Sequence, residues 1–436
     1  MSRRVVVTGL GVVTPLGNTV KENWDSLIEG KGGIGPITSF PCHCFPTKIA
    51  GEIKNFKPTN YQIKPKALKI MTRAIQYAIA STYLALEDAK IAEKDYEPRQ
   101  VGLTLGVDGI QYTAEEFLLS CYEAVGKDLK NYISADDMGS GVPIKTRDPD
   151  LSVNPLWPLS VLSNMGLCHI SIQHNFQGPN LAFSSIDAGG AQAVGEAFKS
   201  IRQGAGNIYF AGGTYALNTM HLLSLSSSNL LSEKNGSCRP FDRSRDGCVL
   251  GEGSAMLVLE EISHAKKRGA SIYAEIVGFG SFFNGHANLP NVVSDCPDWE
   301  GMYLCMIQAL NDASISPSDI DYINADGKGT VFGDRAEALA IKQAFGEQGS
   351  KVPVSTSKPL TGHLLPASGA FESASTVLSV KEDRIPPTEN CTDRDAQCDL
   401  NVISKLALKK EINYAISNTF GFTGEHTTLV FRKYKQ

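Results

Sequence analysis

The 436-residue chain lacks any apolar run of the roughly twenty residues that a bilayer-crossing helix needs, which argues against a membrane-embedded protein. It also lacks a charge of one sign to spare. A net charge of −5 and a pI near 6.0 argue against a general nucleic-acid binder. Ten cysteines are present but none forms a Cys-x-x-Cys pair, and Cys42-His43-Cys44 has no second pair nearby to complete a zinc site. They read as reduced thiols, with Cys168 and Cys248 expected in the core. The opening MSRRVVVTGLGVVTPLG has a basic start and an apolar stretch, yet Thr and Gly break it and no small-residue cleavage site follows. It reads as a first β-strand, and the protein is expected to be cytoplasmic.

What is present is an alternation of buried strands and amphipathic helices. Continuously apolar runs such as RVVVTGLGVV, VGLTLGV, NIYFAGG, SAMLVLEE and YAISNTFGF suit strands covered on both faces. Helical stretches such as ALKIMTRAIQYAIASTYLALEDA and RAEALAIKQAF lie among them, giving an α/β architecture. Both halves carry a strand, a small-residue turn, a helix and a second strand. A seam near residue 260 therefore divides the chain into halves 1–260 and 261–436. The Asp-, Gly- and Pro-rich stretch from Lys127 to Pro158 reads as a surface insertion.

One turn stands out. SSIDAGGAQAVGEA, from Ser184 to Ala197, reads as a strand end, a tight turn and a helix start, where acyl-transfer enzymes often mount a nucleophile. Ala191, Val194, Phe198 and Ile201 then recur at helical spacing, and Gly204 sits where that helix should stop. The side chain at the turn is Asp187, a poor attacking group for a thioester.

RPFDRSRDGCVLGEGSAMLVLE, from Arg239 to Glu260, closely resembles a signature of the β-ketoacyl synthases of the thiolase fold. The opening segment, SKPLTGHLLPASGAFE from Ser357 and SNTFGFTGEH from Ser417 are similar to further blocks of that family, in the same order. The resemblance implies a five-layered αβαβα fold with two pseudo-symmetric halves and no metal or cofactor. It also implies a cysteine at a helix N-terminus that attacks an acyl thioester, and two histidines that assist decarboxylation of a malonyl thioester. Here the cysteine position falls on Asp187. The first histidine position falls on Asp326 in INADGKGT, and the second is kept as His363, along with Lys358. The family's glycine-rich C-terminal loop becomes Phe420-Gly-Phe-Thr-Gly-Glu-His426, with Phe420 a candidate substrate contact.

The pattern is similar to the chain length factors of type II polyketide ketosynthases, whose usual replacement is Gln, so that Asp187 is a departure. VDGIQYTAEEF resembles their tunnel-closing segment and places gate positions on Ile110, Thr113 and Phe117, at spacings of three and four. The resemblance implies a subunit that is not an enzyme on its own. It would pair with an active ketosynthase, shape the polyketide tunnel and receive chains from an acyl carrier protein. An altered acyl-transfer enzyme, such as a malonyl-carrier decarboxylase using Asp187, Asp326 and His363, is the alternative. Lys64, Lys66, Lys69 and Arg73 read as the basic start of a helix, a solvated face or a site of electrostatic steering for the acidic carrier. His169, His174 and His286 carry no motif and read as structural or exposed.

Overall fold

The computed structural model describes residues 3–109, 158–234, 236–284 and 299–435. Ile110, Thr113 and Phe117, most of the expected insertion and His286 lie outside them. Among the described residues, eleven strands form one sheet: β1 (Val5–Val13), β2 (Val101–Gly106), β3 (Asn180–Phe183), β4 (Ile208–Tyr215), β5 (Gly253–Glu261), β6 (Ala274–Phe283), β7 (Tyr322–Asn324), β8 (Pro353–Ser355), β9 (Asn401–Val402), β10 (Tyr414–Phe420) and β11 (Glu425–Lys433). Their order is β9-β8-β7-β10-β11-β6-β1-β5-β4-β2-β3.

The order repeats itself. From the β3 end, β3-β2-β4-β5-β1 has two parallel pairings followed by two antiparallel ones. The run β8-β7-β10-β11-β6 has the same sequence of pairings. A short antiparallel contact of Val5–Val7 with β6 joins the two runs. Parallel pairings need crossover connections, and the crossover helices provide the layers.

Helices α2 (Gly189–Gln203) and α5 (Ser368–Glu382) pack on each other between the two halves of the sheet. Helix α1 (Arg73–Ala89) covers the outer face of one half, and α3 (Trp299–Ala313) with α4 (Val331–Phe345) covers the other. This is the expected five-layered, thiolase-like architecture. In the central layer α5 is buried on every side from Ser368 to Val380. Small residues make the helix contact possible. A Cβ added to Gly190 would sit 2.4 Å from the Pro366 carbonyl oxygen, closer than close-packed atoms tolerate.

Two local expectations are corrected. Residues 67–89 do not form one helix: a 3₁₀ turn at Ala67–Ile70 is followed by a new start, where Thr72 accepts a hydrogen bond from the Ile75 amide. Lys64, Lys66 and Lys69 therefore lie on the exposed approach to α1, and only Arg73 is in its first turn. Cys248 is buried as expected, whereas Cys168 is half-exposed.

Candidate active site

Three glycine-rich segments converge between the sheet halves. The turn after β3 carries Asp187 just ahead of α2; the segment after β7 carries Asp326 and Lys328; the segment before α5 carries His363. Asp187 and His363 are 0% exposed. The Asp187 Oδ1 atom accepts a 2.6 Å hydrogen bond from His363 Nε2, and Oδ2 accepts one of 2.6 Å from the Phe422 amide. His363 Nδ1 lies 2.9 Å from the Ser368 hydroxyl, whose oxygen also accepts from the Leu364 amide. Burial keeps the imidazole neutral, lowering its proton affinity despite the Asp187 charge. A carboxylate can only accept, so the proton sits on Nε2 and Ser368 donates to Nδ1.

Lys328 is the residue that sequence reasoning passed over. Gly327 and Gly329 flank it at φ +45° and +81°, left-handed angles that suit glycine, and turn its side chain inward. Its Nζ lies 3.2 Å from Asp326 Oδ2, 3.8 Å from Asp187 Oδ2 and 4.1 Å from the Phe422 ring centre, and it donates to the Phe420 carbonyl. A lysine between two glycines reads as an exposed turn. Only the acidic residues at 187 and 326 make burial of its charge tolerable.

The charges form a connected chain. Lys358 Nζ lies 2.9 Å from Asp326 Oδ1, donates to the Asp326 carbonyl at 2.6 Å and pairs with Glu372. Burial alone would raise the Asp187 carboxyl, but Lys328 and then His363 overcome it and hold Asp187 well below the usual range. The chief cause of this ionisation is Lys328. Asp326 is lowered against its own burial by Lys328 and Lys358. Lys328 stays protonated although buried, because the two aspartates face it. Glu372 is pushed up to about 7 by burial and the Asp326 charge, with Lys358 opposing. Glu337, which accepts from the Asp326 and Gly327 amides, is pushed up to about 8 by burial and the Asp326 charge.

The structure brings Asp187, Asp326, His363 and Lys358 together. Phe420 is buried in the sheet with its ring against His426, and its carbonyl rather than its ring meets the cluster. Phe422 is the aromatic that reaches His363, with ring centres 5.7 Å apart. Chemically, both Asp187 oxygens are engaged and the position offers no sulfur. A carboxylate that attacked a thioester would give a mixed anhydride, more reactive than its precursor. An anionic Asp326 opposes a developing enolate charge rather than donating to it.

Residues 2–265 match the β-ketoacyl synthase N-terminal domain and residues 273–392 the β-ketoacyl synthase C-terminal domain. The chain belongs to the β-ketoacyl synthase family. It is 36% identical over 439 residues, covering 99% of both chains, to the 3-oxoacyl-[acyl-carrier-protein] synthase 2 of Coxiella burnetii. Among solved structures it is similar to the ishigamide ketosynthase/chain length factor, with a TM-score of 0.86, 28% identity and full coverage of both chains. It is also similar to a type II polyketide synthase acyl-carrier protein in complex with its ketosynthase bound to the hexaketide, with a TM-score of 0.83, 29% identity and full coverage of both chains. The expectation that this chain is not an enzyme on its own is overturned by these findings. Relatives matched along their whole length carry the name of an enzyme, 3-oxoacyl-[acyl-carrier-protein] synthase 2.

Proposed function

We propose that the chain is one half of a ketosynthase pair of the type II polyketide synthase kind. It stands in the place of a chain length factor and works on acyl chains delivered by an acyl carrier protein. The observation that carries this reading is the Asp187 carboxylate, held by His363, Phe422 and Lys328 where the family resemblance calls for an acyl-accepting cysteine. The pair as a whole carries out the condensation. Edge strand β3 supports pairing. Its outer edge meets no other strand among the described residues, and Leu181, Ile186 and Ile172 are exposed beside it. Unpaired strand edges of this kind invite another chain. The likeness to a ketosynthase/chain length factor over both whole chains points the same way.

Ile110, Thr113 and Phe117 would close the far end of the shared tunnel, and the pair would work in the cytoplasm. Co-expression with a cysteine-bearing ketosynthase tests the reading: a stable one-to-one complex supports it, and a homodimer that ignores the ketosynthase overturns it. A second reading, an acyl-transfer enzyme with altered chemistry, rests on the retained His363 and on the enzyme names of the relatives. Release of acetyl-carrier from malonyl-carrier by the purified chain alone would favour it.

A further inference from the structure

The hairpin tip Gly421–Gly424 between β10 and β11 lies against Asp187 and His363 through the amide and ring of Phe422. Five contacts hold this tip and the strand ends that flank it. The Phe422 amide donates to Asp187 Oδ2, and the Asp187 amide donates to Glu425 Oε1 at 3.4 Å. Lys328 donates to the Phe420 carbonyl and lies under the Phe422 ring, and that ring stands edge-on to His363. Two of these contacts are made by Lys328 itself, and the first depends on it. Without the ammonium, Asp187 would be a buried anion beside a neutral imidazole, and its charge would be too costly to hold at the Phe422 amide.

We propose that Lys328 is a positioning residue that latches the 421–424 hairpin tip shut over Asp187 and His363, so that an acyl chain is barred from this site. The proposal stands whichever pairing the chain adopts, because every contact in it lies within one chain. Its physical logic is a charge trade. Asp187 and Asp326 supply two negative charges, and Lys328 reaches both while also holding the end of β10 at the Phe420 carbonyl and the tip at the Phe422 ring face. A protonated amine with four such partners is fixed in one rotamer, and so is the tip it holds.

Hydrogen exchange of the full-length protein, resolved to peptides covering 418–426, reads the latch directly. In Lys328→Met the tip amides exchange at least tenfold faster than in the natural chain, while peptides from α5 and β1 stay protected. Lys328→Arg, which keeps the charge, restores most of the protection. Should Lys328→Met fail to fold, Lys328→Met with Asp326→Asn removes one charge of each sign and gives the same reading. Access supplies the second arm. A cysteine placed by Asp187→Cys reaches a higher limiting rate of alkylation by iodoacetamide, measured at a pH above its thiol pKa, when Lys328→Met is also present. Unchanged tip exchange in a folded Lys328→Met or double variant would overturn the proposal.

Discussion

Asp187 and Lys328 face each other across 3.8 Å, both buried and 141 positions apart in sequence. One occupies the turn where the family resemblance puts a sulfur nucleophile; the other arrives from the segment where it puts a histidine. Each makes the other's burial tolerable. Removing one partner of a buried ion pair commonly costs about 3–5 kcal/mol, because the remaining charge is left uncompensated. Lys328→Met is therefore expected to lower unfolding stability by about 3 kcal/mol in urea titrations, with part of the loss recovered by adding Asp326→Asn.

The same ammonium governs what a thiol would do at this position. In Asp187→Cys the thiol faces Lys328 instead of a carboxylate doing so. A neighbouring cation favours the thiolate, so its pKa should fall below the ordinary value of about 8.5. The pH dependence of alkylation at residue 187 checks this, and the midpoint should move back up when Lys328→Met is combined with it.

How much of this was open to sequence reasoning can be judged from these residues. Asp187, Asp326, His363 and Lys358 were legible because each sits in a block whose family resemblance fixes its role. Lys328, Glu337 and Glu372 were not. Charged residues beside glycines or on helices read as solvated faces, and only tertiary convergence shows that all three are buried. The strands were legible from their apolar runs. The break at Met71–Thr72 was not, since the apolar residues on either side keep helical spacing across it. The repeated strand order was invisible in the residues themselves, because it lies in pairings between distant segments.

His174 gives a pH-dependent prediction. Burial lowers its pKa from 6.5 to about 4, and its ring stacks on Phe176, which stacks on Phe210. Between these values the unfolded chain binds the proton and the folded chain does not. Stability from this group is thus present above pH 6.5 and is lost as pH falls toward 4. His174→Phe keeps the stack and removes the proton site. The slope of stability against pH in that window should become shallower by at most about 1.4 kcal/mol per pH unit, read from urea midpoints.

Edge strand β3 supplies a test of pairing that spares the fold. Leu181 is 45% exposed, so Leu181→Asp should change the stability of the isolated chain by no more than about 0.5 kcal/mol. If β3 is the pairing edge, a buried unpaired charge there should weaken the complex with a ketosynthase at least tenfold. Sedimentation of the mixed chains reads the difference.

The central claim is that this chain pairs with a cysteine-bearing ketosynthase. Its most direct measurement is the intact mass of both chains after co-purification and incubation with acyl-loaded carrier. The account predicts a one-to-one complex in which the acyl mass appears on the partner's cysteine. A homodimer of this chain that itself gains the acyl mass would contradict it.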